Sequence, residues 1–242
     1  MDSINVNGVL YETQLFDLPR DYVSQFDFID FGAKYGKMRD YCGKVFGTYN
    51  GLHIEIVEEY VNKMEEDNIP CLQADITNLN FEEDCVDFSI CTHTIEHLPD
   101  LDHIKKLLES SLKVSKHFVL YTWPFFDEDE YLEERGFIPF WSTWDGHVTK
   151  LKTIDFAEIC HSLGKTPKFY FRDKIHDSNH TSILDIKSPI NSGPYVEGES
   201  LSKEMRVFDR DIYYEVGAFI GCGTDEENQI HLDNFLANVR NG

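Results

Sequence analysis

The chain has 242 residues, a length at which one domain can bury a substantial hydrophobic core without disulfides or metals. Hydrophobic residues make up 41% and charged residues 27% of the sequence, which excludes a disordered or fibrous chain. Acidic residues outnumber basic ones by 44 to 22, and the resulting net charge of −22 repels phosphate backbones and anionic lipid headgroups. We therefore expect a small-molecule ligand, no nucleic-acid partner and no membrane partner.

The N-terminal stretch lacks the basic start and apolar core of a secretion signal, and no run of about 18 consecutive apolar residues occurs. A cytoplasmic protein is the expectation. The six cysteines are scattered and form no C-x-x-C pair. This pattern predicts buried free thiols and argues against a disulfide framework or a zinc site.

Residues 1–25 give weak signals, which we interpret as a short hairpin and a helix that cap a sheet. Further along, short apolar runs alternate with amphipathic ones, the rhythm of a parallel sheet covered by helices. Five strands are predicted, at Phe26–Phe31, Leu52–Ile56, Cys71–Ala74, Val86–Cys91 and His117–Thr122. Apolar residues at helical spacing predict three helices, at Val57–Asp67, Ile104–Leu112 and Ile154–Leu163.

After the fifth strand, residues 123–147 are dense in aromatic and acidic residues and are interrupted by Gly and Pro. This composition predicts a long loop or lid that walls an acceptor pocket; an ordinary core is the alternative. Two more strands are predicted at Lys168–Arg172 and Ile212–Cys222, joined by a polar and partly mobile connection, and a helix at Ile230–Val239 follows. We expect one α/β domain with an N-terminal cap (1–25), a cofactor-binding core (26–165) and a C-terminal strand pair and tail (166–242).

Glycines, acids and other polar residues cluster where the first four predicted strands end. Because the carboxyl ends of parallel strands meet at one edge of a sheet, these residues are expected to converge on a ligand. They are Asp30, Gly32, Ala33, Lys34 and Gly36 after the first strand, Glu55 after the second, Asp75 and Ile76 after the third, and Thr92 and His93 after the fourth.

The residue types at these positions suit an adenosine. Gly32 and Gly36 lack Cβ, so the loop between them can bring backbone N–H groups close to a ligand. Glu55 can accept both hydroxyls of a ribose through its two carboxylate oxygens, and Asp75 can accept a proton of the adenine amino group.

The same segments resemble the class I S-adenosylmethionine-dependent methyltransferases, in particular the branch that acts on small molecules and glycans. The resembling segments are FIDFGAKYG, HIE, LQADITNLNF, VDFSICTHTIEHLPD and HVTKLKTIDFAEICHSLGK. The resemblance implies a Rossmann-like, doubly wound and mostly parallel seven-stranded sheet with one antiparallel strand and helices on both faces. It also implies S-adenosylmethionine as the cofactor.

The resemblance further implies a role for each residue. It assigns the methionine part to Asp30 and the loop Gly32–Gly36, the ribose to Glu55, the adenine to Asp75 and Ile76, and the sulfonium side to Thr92 and His93. Lys34 stands where the family usually has glycine. Its ammonium can brace the carboxylate of the cofactor, or its side chain can crowd the loop.

The activity implied is methyl transfer to a small-molecule or sugar-containing acceptor, which we expect to occur at oxygen. A hydroxyl acceptor needs a base that titrates near neutrality. We favour His147, oriented by Asp145, with His93 as second choice; a structural role for His147 is the alternative. A non-catalytic S-adenosylmethionine-binding partner or regulatory protein is the alternative function.

The motifs also allow a zinc hydrolase or a nicotinamide-dependent enzyme, and the sequence favours neither over a methyltransferase. His93, Glu96 and His97 match the H-x-x-E-H pattern of some zinc hydrolases, but Pro99 permits only a short helix there. The sequence G-A-K-Y-G lacks the G-x-G-x-x-G spacing of nicotinamide dinucleotide sites. We therefore predict neither a metal nor a nicotinamide cofactor.

Overall fold

The computed structural model of the protein describes the backbone of residues 3–6, 9–12 and 15–241 and the side chains of residues 15–238. The strands in these ranges are β1 (Ser3–Val6), β2 (Val9–Glu12), β3 (Phe16–Leu18), β4 (Phe28–Phe31), β5 (Gly51–Glu55), β6 (Cys71–Gln73), β7 (Leu79–Phe81), β8 (Val86–Thr92), β9 (Ser115–Pro124), β10 (Phe137–Pro139), β11 (Lys168–Asp177), β12 (Ile183–Asp185) and β13 (Val207–Gly221). The α-helices are α1 (Arg20–Val23), α2 (Met38–Phe46), α3 (Glu58–Glu66), α4 (Leu101–Val114), α5 (Asp129–Glu133), α6 (Thr153–Ser162) and α7 (Asp225–Asn241). Short 3₁₀ helices span Ile76–Asn78, Ile95–His97 and Phe140–Thr143.

The central sheet has seven strands in the order β11-β13-β9-β8-β4-β5-β6. Strands β6, β5, β4, β8 and β9 run parallel, and β13 lies antiparallel between β9 and β11. The predicted mostly parallel sheet with one antiparallel member is confirmed. The strand order reverses between β4 and β8, the place where open α/β sheets bind ligands beyond their carboxyl ends.

The five predicted core strands are all present, and their ends differ from the prediction by at most two residues. Strands β4 and β5 are buried along their whole length, because helices cover both faces of the sheet. This double coverage is why their sequences are continuous apolar runs. The predicted N-terminal hairpin is also present, as the antiparallel pair β1 and β2.

The helices predicted from apolar spacing appear as α3, α4, α6 and α7. Helix α4 begins at Asp100, whose carboxylate accepts the backbone N–H of His103 and so caps the first turn. Sequence reasoning missed helices α2 and α5. In α2, Met38, Tyr41, Cys42, Val45 and Phe46 recur at helical spacing and pack into the smaller of the two cores, so the pattern was present but was not recognised beside the glycine loop.

Side chains that alternate along the strands form two separate cores, one on each face of the sheet. The larger core packs α4 and α6 against the sheet. The smaller core packs α2 and α7 against the sheet through Phe28, Phe88, Phe118 and Phe219, with Phe235 of α7 fully buried among them.

The prediction of a lid at residues 123–147 is wrong in part. This stretch contains α5, β10 and a 3₁₀ helix, and its aromatic side chains are mostly buried, so much of it is core. The connection after β11 is also more regular than predicted. Strand β11 continues to Asp177, and β12 pairs with β10.

All six cysteines are free thiols; four are buried as predicted, whereas Cys71 and Cys222 are partly exposed. Among the described residues, no helix is long and apolar enough to cross a membrane.

Candidate active site

Two adjoining cavities open at the carboxyl edge of the parallel strands. The first has a volume of about 380 Å³, and its lining includes Gly32, Glu55, Tyr60, Asp75 and Ile76. The second, of about 390 Å³, has a lining that includes Thr92, Glu96, Trp141, Trp144, His147 and Tyr214. Both cavities are lined by Gly32, Lys34, His93 and His97, so they meet at the loop after β4 and the loop after β8.

The loop after β4 needs glycine at its first turn. Gly32 has φ +75°, and a Cβ built there would lie 2.2 Å from Cγ2 of Thr94. Any side chain at position 32 would therefore collide with the loop after β8. The loop and its neighbour fit closely enough for backbone groups to approach a ligand at the junction of the cavities.

Lys34 adopts the left-handed conformation, with φ +51°, at the position where we expected glycine. Its backbone N–H donates a hydrogen bond to Oε2 of Glu55 at 2.8 Å. Its ammonium lies 5.9 Å from the ring centroid of Tyr60, beside the first cavity. The lysine thus preserves the turn that a glycine would make.

Glu55 lines the first cavity and is anchored by backbone groups. Its Oε1 accepts the N–H groups of Ile56 and Val57 at 2.8 and 3.0 Å, in addition to the bond from Lys34 to Oε2. A carboxylate offers about four acceptor sites, so about one remains for a ligand hydroxyl. Glu55 can therefore accept a hydrogen bond from about one ribose hydroxyl, whereas we predicted that it accepts both.

Asp75 lines the same cavity as Glu55. Its Oδ1 accepts the N–H and the hydroxyl of Thr77, which caps the 3₁₀ helix that follows, and its Oδ2 accepts the amide of Asn78 at 3.1 Å. Ile76 adds an apolar wall. The two carboxylates that we predicted to share a ligand therefore converge, although 20 positions separate them in the sequence.

Asp30 and Gly36 line neither cavity. The carboxylate of Asp30 is buried beneath the loop, and its Oδ2 lies 3.0 Å from Nδ1 of His53 on the neighbouring strand. Gly36 has φ +68° and packs against Ile69 and Met64. Both residues lie beneath the loop, and their predicted contact with the methionine part of the cofactor stays a prediction. Ala33 does line the second cavity.

His93 follows β8 in a left-handed conformation, with φ +49°. Its Nε2 lies 2.6 Å from Oε2 of Glu215, whose Oε1 accepts a hydrogen bond from Arg172 at 3.1 Å. Burial lowers the pKa of His93, but the contacts with Glu215 and Glu96 outweigh burial and raise the pKa to about 10. The ring is 43% exposed, so solvent screens part of this attraction.

The H-x-x-E-H pattern does not form the helix that a zinc hydrolase requires. Only Ile95–His97 is helical, as a 3₁₀ turn, and His93 lies outside it. The ring of His93 contacts Glu215, while Nδ1 of His97 lies 2.8 Å from the carbonyl oxygen of Gly146. The two histidines of the pattern therefore have different partners.

His147 is buried in the wall of the second cavity. Its Nδ1 donates to the carbonyl oxygen of Trp141 at 2.8 Å, which leaves Nε2 as the nitrogen with a lone pair. Burial lowers the pKa of His147, so the ring is neutral at neutral pH. Asp145 is exposed and does not orient the ring; the Trp141 carbonyl does so instead, which corrects the prediction.

Sequence reasoning missed three residues of the second cavity and its surroundings. Glu96 is 1% exposed, and we had considered it only as part of a zinc-hydrolase pattern. Tyr214 and Glu215 come from β13, far along the chain. The available signal was an acid inside a run of apolar residues, Tyr213 to Gly221, which is unusual for a buried strand.

Comparisons with known proteins agree with this architecture. Residues 29–120 match the model of a family described as a methyltransferase domain. No curated protein matches the chain at a significant level.

Two solved structures with a similar fold are distant from this chain in sequence. A SAM-dependent methyltransferase from Archaeoglobus fulgidus is 16% identical, with a TM-score of 0.54 over 84% of this chain and 90% of that chain. Magnesium protoporphyrin IX methyltransferase from Synechocystis, solved with bound SAH, is 11% identical, with a TM-score of 0.48 over 83% of this chain and 75% of that chain. The likeness to the Archaeoglobus protein shows a shared fold.

The fold and the converging carboxylates define a class I methyltransferase architecture. The residues present suit S-adenosylmethionine, since Gly32 makes a left-handed turn that leaves the loop without a side chain there, and two carboxylates face one cavity. Residues 29–120 match the methyltransferase-domain family, and this match supports S-adenosylmethionine-dependent methyl transfer, with S-adenosylmethionine as the cofactor.

Proposed function

We propose that the protein transfers a methyl group from S-adenosylmethionine to an oxygen atom of a small-molecule or sugar-containing acceptor. The observation that carries this proposal is the meeting of two cavities of different chemistry at Gly32 and His93. One cavity presents carboxylates beside a glycine turn, and the other presents aromatic rings beside a neutral histidine.

The first cavity suits the cofactor. Asp75 and Ile76 would hold the adenine, and the remaining acceptor site of Glu55 would take a ribose hydroxyl. Lys34 is the cation nearest the glycine turn, so its ammonium would brace the carboxylate of the methionine part.

The second cavity suits a flat or ring-shaped acceptor. Phe140, Trp141, Trp144 and Tyr214 line it, and aromatic faces pack well against sugars and planar rings. Trp144 is 39% exposed and lies at the rim, while Phe140 and Trp141 are buried. A wall of this kind excludes water from the methyl group and fixes the acceptor, and proximity supplies much of the rate of a displacement.

When bound, S-adenosylmethionine supplies a methyl group on a sulfonium, whose C–S bond breaks with its electron pair kept by sulfur as the acceptor oxygen bonds to the carbon. The residues of this chain position the acceptor and take its proton. His147 is suited to accept the proton at Nε2, because its Nδ1–H is committed to the Trp141 carbonyl. His93 is unsuited to that task because Glu215 keeps it protonated.

The test is calorimetric titration of the protein with S-adenosylmethionine and S-adenosylhomocysteine. We expect Glu55→Ala to weaken binding about 10- to 100-fold, because it removes a charge-assisted hydrogen bond to the ligand and releases the loop. Glu58→Ala, at an exposed position of α3, is the control and should bind like the natural chain. Unchanged affinity in Glu55→Ala would refute the assignment of this cavity to the cofactor.

Turnover distinguishes an enzyme from a non-catalytic binding protein. We expect release of S-adenosylhomocysteine when the protein is mixed with S-adenosylmethionine and a panel of hydroxylated aromatic compounds and sugars. Binding of the cofactor without turnover on any acceptor would favour the non-catalytic alternative.

A further inference from the structure

We propose that Glu96, His97 and His147 form a binding site for a divalent transition-metal ion in the second cavity, and that the ion coordinates the hydroxyl of the acceptor. Coordination of the acceptor by the ion rests on the proposed function. Binding of the ion by the three side chains does not depend on it.

The three residues come from two separate parts of the chain. Glu96 and His97 lie on the 3₁₀ helix after β8, and His147 lies in the loop before α6. One potential ligand atom of each lies within 4.8 Å of the others. Two histidines and one carboxylate on one side of an ion are a known donor set for divalent transition metals, and this set leaves coordination positions open.

The carboxylate of Glu96 is the observation that points to a missing partner. The residue is 1% exposed, and neither carboxylate oxygen accepts a hydrogen bond from the part of the chain that the structure describes. Oε1 forms an ion pair with Nδ1 of His93 at 3.5 Å, which is longer than a good hydrogen bond. A buried carboxylate is costly unless it is paired, hydrogen-bonded or bound to a metal, and Oε2 has no such partner among the described residues.

Both histidines are oriented in the way that metal ligands usually are. Nδ1 of His97 lies 2.8 Å from the carbonyl oxygen of Gly146, and Nδ1 of His147 lies 2.8 Å from that of Trp141. Each Nδ1 therefore carries the proton, and each Nε2 carries the lone pair. Donation of the second ring N–H to a backbone carbonyl fixes the ring and makes the other nitrogen a better ligand.

The three side chains lie where an ion could contact the hydroxyl of the acceptor. His97 and Glu96 line the second cavity together with His147, and His97 also lines the first cavity. An ion held here lies where the proposed acceptor and the cofactor meet. A hydroxyl bound to a divalent cation loses its proton far more readily than a free one.

Ion-bound and ion-free forms use His147 differently. With the ion present, Nε2 of His147 is a ligand, the acceptor oxygen occupies an open coordination position, and the hydroxyl proton passes to water. The acceptor class that this geometry selects is a compound with a hydroxyl, or two neighbouring hydroxyls, on a ring that packs against Trp141 and Trp144.

The test is titration of the metal-stripped protein with CoCl₂, followed by the visible absorption of protein-bound Co²⁺ and by metal analysis after desalting. We expect one Co²⁺ per chain. Glu96→Gln, which keeps the shape of the side chain, and His147→Ala should each weaken Co²⁺ binding by about 100-fold or more, because each removes a direct ligand. His161→Ala, an exposed histidine on α6, should bind Co²⁺ like the natural chain.

Absence of Co²⁺ binding by the natural chain would overturn the proposal, as would Co²⁺ binding that Glu96→Gln leaves unchanged. Titration of the same samples with S-adenosylhomocysteine shows that the variants are folded and separates the two proposals. Binding of S-adenosylhomocysteine without Co²⁺ refutes the metal site alone, and binding of Co²⁺ without S-adenosylhomocysteine refutes the proposed function alone. Turnover should fall after treatment with EDTA and return with Co²⁺; turnover that EDTA leaves unchanged would refute coordination of the acceptor.

Discussion

Lys34 occupies a left-handed backbone position, which for an L-residue other than glycine costs on the order of 1–2 kcal/mol. The chain keeps the lysine there, and Lys34 lines both cavities. A residue held under strain at a site is a reason to look for a function. We attribute the strain to the need for a cation beside the carboxylate of the cofactor.

Two substitutions separate the charge of Lys34 from its backbone strain. Lys34→Met removes the charge and keeps the strain, so we expect weaker binding of S-adenosylhomocysteine by about 5- to 10-fold and an unchanged melting temperature. Lys34→Gly also removes the strain and should add up to about 1 kcal/mol of stability. Calorimetry and thermal unfolding measure the two effects. Tighter binding in both variants would show that the lysine crowds the loop.

His147 faces the second cavity alone, so its loss should affect turnover and spare the cofactor. We expect His147→Ala to lower the turnover rate by about 10²- to 10⁴-fold, the usual contribution of a general base, and to leave the affinity for S-adenosylhomocysteine within twofold. Steady-state kinetics and calorimetry on the same preparation test this. Undiminished turnover would assign His147 a structural role.

The sequence predicted the convergence of Glu55 and Asp75 because strand ends in a parallel sheet share one edge. It could not show that Asp30 pairs with His53, since a register between two strands decides that contact. It could not identify Glu215 either. That residue reaches the site only because β13 turns back between β9 and β11, and an acid inside an apolar run does not by itself show which site it faces.

At the scale of elements, α5 shows how burial of one acid affects stability. Asp129 begins this helix, is buried, and has only Lys150 as an ion-pair partner among the described residues, at 3.4 Å from Oδ2. Burial raises the pKa of Asp129 to about 6. Between about pH 4 and pH 6 the folded chain thus holds a proton that the unfolded chain has lost, and the free energy of unfolding falls as the pH rises.

Replacement of Asp129 by Asn should remove this pH dependence. At pH 7 we expect Asp129→Asn to raise the free energy of unfolding by about 1–3 kcal/mol, because no charge is then buried. At pH 4 the difference should nearly vanish. Denaturant unfolding at several pH values measures it, with Glu130→Gln, on the exposed side of α5, as the control. A variant less stable than the natural chain at pH 7 would contradict the prediction.

Prediction of the elements succeeded where a single pattern dominated. Apolar runs revealed β4, β5 and β8, and helical spacing revealed α4. The elements of residues 123–147 were not predicted. A short helix, a short strand and a 3₁₀ turn follow one another there, and each is too short to show a helical or strand period of apolar residues. Their aromatic residues serve both as core and as the wall of the second cavity, so neither of the two readings was complete.

On the scale of the whole molecule, the smaller core on one face of the sheet lies apart from the two cavities. The smaller core joins α2 and α7 to the sheet through stacked phenylalanines, among them Phe118 and Phe219, which are 5.0 Å apart between ring centroids. None of these phenylalanines lines the two site cavities. Stability supplied by this face should therefore be separable from ligand binding.

Removal of Phe235 tests that separation. We expect Phe235→Ala to lower the free energy of unfolding by about 3–5 kcal/mol, the usual result of deleting a buried aromatic ring. The affinity for S-adenosylhomocysteine should not change at temperatures where the protein is folded. Ile230→Ala, exposed on the same helix, is the control. A large loss of affinity in folded Phe235→Ala would show that α7 is coupled to the site.

The two cavities are lined by different parts of the chain, because β13 and the segment after β9 contribute mainly to the second cavity. The residues of the first cavity lie almost wholly within positions 29–120, the portion that the methyltransferase family shares, whereas the rings around the second cavity come from positions 123–147 and from β13. With the second cavity as the acceptor site that we propose, substitutions in the later segments would change which acceptor binds and leave the cofactor contacts unchanged. In proteins with this architecture, the acceptor could therefore change through substitutions in positions 123–147 and in β13.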